Sequence, residues 1–131
     1  MIDARSASIV AATSAALFLK GLVLSYIQVA ARYRARSFSR PEDARLLGLA
    51  PRNEPDLAVR AAGALRNEGE NAPYFLALAV AYVLVGGQPL PLLGLSTLYV
   101  TARQPHRMIG YLMGGLATLC LAATIALQVA H

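Results

Sequence analysis

The 131-residue chain has one cysteine, no tryptophan, two histidines and charge on only 15% of its residues. Each shortage excludes something. A single thiol, Cys120, cannot close an intrachain disulfide or build a thiolate metal site. Lying in an apolar run, it is expected to be a small packed hydrophobe. His106 and His131 have no clustered ligands beside them, so no metal centre is expected. Sparse charge with 56% hydrophobic residues and a mean hydropathy of +0.49 lies outside the ordinary composition of a water-soluble globule. What remains is an integral membrane protein, because the charges are bunched and leave apolar stretches long enough to cross a ~30 Å hydrocarbon layer as helices.

Four spans can be drawn, at about 6–31, 57–85, 89–102 and 107–130, in one transmembrane domain covering 1–131. The first is apolar except for Lys20. Neither a short hydrophobic core nor a small-residue cleavage site marks its start as a signal peptide, so it is expected to be retained. The second continues an amphipathic, charged stretch into the apolar run Ala72 to Val85. Gly86 and Gly87 break it, and Pro89 and Pro91 follow. At ~1.5 Å per residue the third span covers only ~20 Å, so it needs protein neighbours, a thinned bilayer or helical flanks. The fourth is long and nearly uncharged.

Basic residues outnumber acidic ones 12 to 7, for a net charge of +5. Nucleic acid is a poor explanation, since most of the surplus sits between hydrophobic spans rather than on a polar domain. Membrane topology fits better. Arg32, Arg34, Arg36, Arg40, Arg45, Arg52, Arg60 and Arg66 lie between the apolar stretches of spans one and two, and Arg103 and Arg107 between those of three and four, whereas the other side offers Arg5. By the positive-inside rule both arginine-bearing loops, the first at 32–56, face the cytoplasm. The expected location is a multi-pass integral membrane one, the inner membrane if the source is bacterial. Pro41, Pro51 and Pro55 suit an ordered first loop that ends where Pro55 and Asp56 open a helix.

The informative stretch is Asp56 to Tyr74. Drawn at ~100° per residue, it collects Arg60, Gly63, Asn67, Glu70 and Tyr74 on one face, with Arg66 beside Glu70 at an i, i+4 offset. Ionisable groups entering a bilayer cost at least ~2.5 kcal/mol each at its centre, so such a stripe faces partners, a cavity or a ligand. A solvated cytoplasmic extension of the helix is the plainer alternative. Lys20, ~18 Å along its helix from Arg32, also needs a partner, and Glu68, off the polar face, is the best candidate for a structural ion pair. Tyr26, Tyr33 and Tyr82 read as packing or interface anchors.

The run Arg66-Asn67-Glu68-Gly69-Glu70-Asn71-Ala72-Pro73-Tyr74-Phe75 resembles the Arg-Asn-x-x-Glu…Pro-x-Phe signature of the MAPEG family, the membrane-associated proteins in eicosanoid and glutathione metabolism. Its Asn-x-x-Glu-Asn form is similar to microsomal glutathione transferases. Lys20, Arg32-x-Arg34, Phe38 and Pro41-Glu42-Asp43 resemble the first span and loop of the microsomal prostaglandin E synthase branch. Gln104-Pro105-His106-Arg107 with Tyr111 resembles the start of the family's fourth helix. These anchors occur in family order.

The resemblance implies an all-α four-helix subunit, a homotrimer, and glutathione held between subunits near the cytoplasmic side. Arg32, Arg66, Asn67, Glu70 and Tyr111 match positions that contact the tripeptide in relatives, and Arg107 matches the catalytic arginine near the thiol. Arginine forks suit the two carboxylates of glutathione, and Glu70 suits its ammonium. Two departures are visible. Met108 stands where the prostaglandin synthase branch carries a serine, so isomerase activity is not expected. Asp43 matches an aspartate proposed to act in that branch, yet Pro-Glu-Asp is equally a turn and helix start. Between Asn67 and Arg107 the chain is also shorter than the family pattern by roughly ten residues, about three helical turns. If Tyr99 is the family's third-helix tyrosine, the deletion falls near Gly86 to Pro91 and Tyr99 joins the glutathione contacts. If Leu98 to Arg103 matches the upstream part of that helix, a later portion with a His and a Tyr is absent.

The function implied is a membrane-bound glutathione-dependent transferase or peroxidase that acts on hydrophobic electrophiles or lipid hydroperoxides entering from the bilayer. A non-enzymatic scaffold or lipid-binding regulator on the same fold is the alternative. A small four-span multidrug exporter is a third class, but such exporters depend on an acidic residue in the first span, where this chain has Lys20.

Overall fold

The structure is a computed structural model that describes residues 3–101 and 107–130, the side chains of 107–112 excepted. Every regular element among the described residues is helical: α1 (Ala4–Ala35), α2 (Pro41–Leu46), α3 (Asp56–Leu84), α4 (Pro89–Thr101) and α5 (Arg107–Val129). The expectation of four helices needs one addition. Within the first loop Pro41 occupies the start of a six-residue helix and Glu42 and Asp43 fill its first turn, where missing N–H groups and the helix dipole favour them. Pro-Glu-Asp is therefore the opening of α2.

Helix ends follow from local chemistry. The Asp3 carboxylate caps α1 by accepting from the backbone N–H groups of Arg5 and Ser6 at 3.3 and 3.2 Å and from the Ser6 hydroxyl at 3.1 Å. The bond from the Arg5 backbone, followed by those from Ser6 and the nearby Arg5 charge, keeps the carboxyl below its ordinary pKa despite some desolvation. At the other end, Arg36 takes φ +46 while Ser37 N–H reaches the Arg32 carbonyl and Arg36 N–H the Tyr33 carbonyl, the paired bonds of a Schellman stop. Helices α2 and α3 stop in the same way, with Gly48 at φ +65 and Gly86 at φ +80 in the left-handed position.

The chain packs as two compact units, Met1–Phe18 with Gly69–His131, and Leu19–Glu68. In the first, Phe75, Ala79, Tyr82 and Val83 of α3 meet Leu17 of α1, Leu92 and Tyr99 of α4, and Ala117 and Leu121 of α5 in one buried cluster. On α4 the buried residues Leu92, Ser96 and Tyr99 recur at i, i+4, i+7, one helical stripe. Phe75 and Tyr99 stack with centroids 4.2 Å apart and planes 16° from parallel, and Gly114 of α5 lies beside the Tyr99 ring. The Ser6 hydroxyl also lies 3.3 Å from the Gly87 carbonyl and shares its one proton between that oxygen and Asp3, tying the start of α1 to the α3–α4 turn. In the second unit Gly21 of α1 faces Leu65 of α3, and Phe38, Ala44, Ala58 and Ala61 are buried.

Among the described residues α1 alone is long and apolar enough to cross a membrane by itself; α4 and Met113–Val129 are shorter apolar helices. Cys120 differs from expectation, being exposed rather than packed, because α5 turns Ala117 and Leu121 inward and leaves position 120 outside that stripe.

Candidate functional site

Helix α3 runs unbroken through Pro73, which removes one N–H from the helix interior. Two faces of different character result. Glu68, Phe75, Ala79 and Tyr82 point inward and are buried. Arg66, Glu70 and Tyr74, each four residues from the last, lie exposed, Tyr74 at 70%, with Asn67 half-buried beside them. Arg66, Asn67, Glu70 and Asn71 already engage neighbouring groups. A cation and an anion one turn apart, at the point where α3 becomes apolar, can receive a zwitterionic ligand.

Lys20 of α1 pairs with Glu68 of α3 at 2.8 Å, as the sequence suggested, with the Glu68 side chain 11% exposed. Its Oε2 takes the ammonium, while Oε1 finds no hydrogen bond among the described residues. A buried carboxylate in an apolar stretch is tolerable only with such a counter-charge.

Arg32 sits in the last turn of α1, where a cation also meets the helix dipole. Its Nη2 contacts both oxygens of Glu54, at 2.8 Å to Oε1 and 2.9 Å to Oε2, and the Ser39 hydroxyl donates to Oε1 at 2.6 Å. Ser37 Oγ donates to the Asn53 carbonyl at 2.5 Å and Arg52 N–H to the Phe38 carbonyl at 2.8 Å, so residues 37–39 lie along 52–54. The Ser39 hydrogen bond, aided by Arg32, holds the Glu54 carboxyl below the usual carboxylate range against the opposing effect of burial. Arg32 Nε is buried and has no hydrogen-bond partner among the described residues, a further donor on the same guanidinium. Sequence reasoning missed Glu54 and Ser39: the pairing spans 22 residues, and the only local signal was a carboxylate preceding Pro55.

Tyr99 is 5% exposed and stacked on Phe75 in the core of its unit, where it also engages a further group. Arg107 opens α5 and Tyr111 follows one turn later; the side chains of both lie outside the described residues. No group of three or more metal-binding side chains occurs among the described residues.

The sequence profile of the MAPEG family matches residues 10–127, which include every site position named above. The chain belongs to the MAPEG family. No curated protein matches it closely. Membership places the chain among membrane-associated proteins of glutathione and eicosanoid metabolism, and the apolar, membrane-length α1 agrees with that setting. The MAPEG signature residues Arg66, Asn67 and Glu70 fall on the outward half of α3 rather than in the cluster formed by Phe75 and Tyr82.

Proposed function

We propose that this MAPEG protein is a multi-pass membrane glutathione transferase or peroxidase acting on hydrophobic electrophiles or lipid hydroperoxides. The observation that carries the reading is the exposed Arg66–Glu70 pair on α3, opposite charges one turn apart at the edge of an apolar run. Arg66 binds a ligand carboxylate as a fork and Glu70 its ammonium. Asn67 adds amide hydrogen bonds, and Arg32 offers Nε to a second carboxylate. Tyr111 supplies a hydroxyl that the family pattern expects, and Tyr99, buried against Phe75, supplies one only in the register that makes it the family's third-helix tyrosine. When bound, glutathione supplies the thiol nucleophile. Arg107, at the first turn of α5, stabilises the thiolate and so lowers the thiol pKa. The functional assembly is a homotrimer with both arginine-rich loops cytoplasmic.

Glutathione titrated into the detergent-solubilised protein tests the reading. Arg66→Ala and Glu70→Gln should each weaken binding by ~2–5 kcal/mol, because each leaves a ligand charge unpaired in a low-dielectric site. Unchanged affinity in both variants refutes the assigned face. Arg107→Ala should leave affinity nearly intact while reducing thiolate absorbance at neutral pH, with turnover falling about tenfold per unit rise in thiol pKa. Wild-type protein that binds glutathione without excess thiolate and without turnover is the scaffold alternative, which the 13-residue α4 favours.

A further inference from the structure

The unit built from Met1–Phe18 and Gly69–His131 carries a groove between α1 and α4 that none of the proposed glutathione contacts lines. Its outer part, about 560 Å³, lies between Arg5, Ser8 and Ile9 of α1 and Pro89, Leu90 and Leu93 of α4. An inner part of about 370 Å³ continues past Ser96 to Thr101. Ser8, Ile9 and Leu93 border both, so they form one open, channel-like groove. Each part falls within the ~300–1,000 Å³ typical of small-molecule sites. From Leu90 to Thr101 the channel follows α4 for ~17 Å, about half of a ~30 Å hydrocarbon layer and hence one leaflet deep.

Its chemistry selects an amphiphile. Half of the lining residues are alanine, isoleucine, leucine or valine, and with Pro89 and the threonine methyl groups they present apolar surface that accepts an acyl chain. Arg5 is exposed at the mouth, and the nearby Asp3 carboxylate is committed to capping α1. One wall group is out of place. The hydroxyls of Ser8, Thr13 and Thr101 donate to carbonyls four residues earlier in their own helices, at 2.8, 2.7 and 2.6 Å. Ser96 is 3% exposed and its hydroxyl has no partner among the described residues. A buried hydroxyl in that state marks an acceptor still to be supplied. It lies ~9 Å along α4 from Leu90, within reach of the ester carbonyls of a lipid whose phosphate rests at the mouth.

We infer that the α1–α4 groove binds one anionic glycerophospholipid, with its phosphate on Arg5, one acyl chain along the channel, and an ester carbonyl accepting from Ser96. The lipid comes from the leaflet at the amino-terminal end of α1, the end remote from Arg32 and Arg34. This site is separate from the glutathione reading and stands without it.

Native mass spectrometry of the full chain in mild detergent tests it, with three probes of equal chain length: phosphatidylglycerol, phosphatidylcholine and a diether phosphatidylglycerol that lacks ester carbonyls. Wild type should retain one phosphatidylglycerol per subunit, at least fivefold tighter than phosphatidylcholine and several-fold tighter than the diether. Arg5→Ala, at an exposed position, should erase the headgroup preference, and Ser96→Ala the ester preference. Equal binding of all three probes by wild type overturns the site, as does an ester preference that survives Ser96→Ala. Ala12→Phe should fill the channel and release the lipid. If it instead splits the oligomer while phosphatidylglycerol stays bound, the groove is a subunit contact and the inference fails. Glutathione binding, measured in parallel, should be unchanged by Arg5→Ala, so failure of one reading is distinguishable from failure of the other.

Discussion

Arg32 illustrates what a single residue reveals only in three dimensions. In the sequence it is a family-matched contact for the tripeptide; in the structure it already holds a carboxylate, Glu54, through a single nitrogen while Nε has no partner among the described residues. Glu54 therefore fixes the guanidinium, and Ser39 fixes Glu54. Glu54→Gln should cost about 2 kcal/mol of stability, since the partner charge is left largely buried. The sign of the pH dependence follows from the lowered Glu54 pKa. The contribution is fully present above the ordinary value of 4.5 and disappears as pH falls through the lower folded value. Thermal melts of wild type and Glu54→Gln in detergent should thus differ near neutrality and converge well below pH 4.5; a constant gap across pH would exclude the pairing as its source. Lys20 with Glu68 was legible because an isolated cation in an apolar span demands a counter-charge, and few carboxylates were within reach. Arg32 with Glu54 was not, because a loop arginine among many makes no such demand.

At the level of elements, boundaries were legible where the chain needs a special backbone. Gly86 ends α3 because the left-handed stop requires positive φ, and Gly87 follows it because any Cβ there would overlap the buried Tyr82 ring. Gly87→Ala should accordingly destabilise by about 1–3 kcal/mol, read as a lowered melting temperature. Arg36 occupies the same left-handed position at the end of α1 with a side chain that disfavours it, so Arg36→Gly should raise the melting temperature, a gain of up to ~1 kcal/mol. A short helix such as α2 leaves little periodicity to read, and only its Pro-Glu-Asp start hinted at it. The span drawn at 57–85 already ran through Pro73, and α3 is one helix there. Proline argues for a break, but inward packing of Glu68 before it and Phe75 after it outweighs one missing hydrogen bond.

For the whole molecule, the polar stripe of α3 decides more than the apolar surfaces do. Exposed leucines and valines suit lipid and require no cover, since helix association in a bilayer gains little from apolar burial. Arg66 and Glu70 differ: facing acyl chains each would cost roughly 2.5–3.5 kcal/mol at mid-bilayer depth, and Tyr74 continues their face into the apolar run. On α1, Leu19, Leu22, Tyr26, Val29 and Tyr33 are exposed at alternating spacings of three and four, the seam along which a second helix can pack. A homotrimer that covers the α3 stripe with a neighbour's helix would resolve the cost. A photo-crosslinking residue at position 74, activated in native membranes, should then yield covalent dimers and trimers, and the same residue at position 26 should join copies along the α1 seam. Native mass in mild detergent should show three chains. Monomers carrying only lipid adducts at position 74 would place the stripe against the bilayer, remove the need for a neighbour and leave the glutathione face without its second wall.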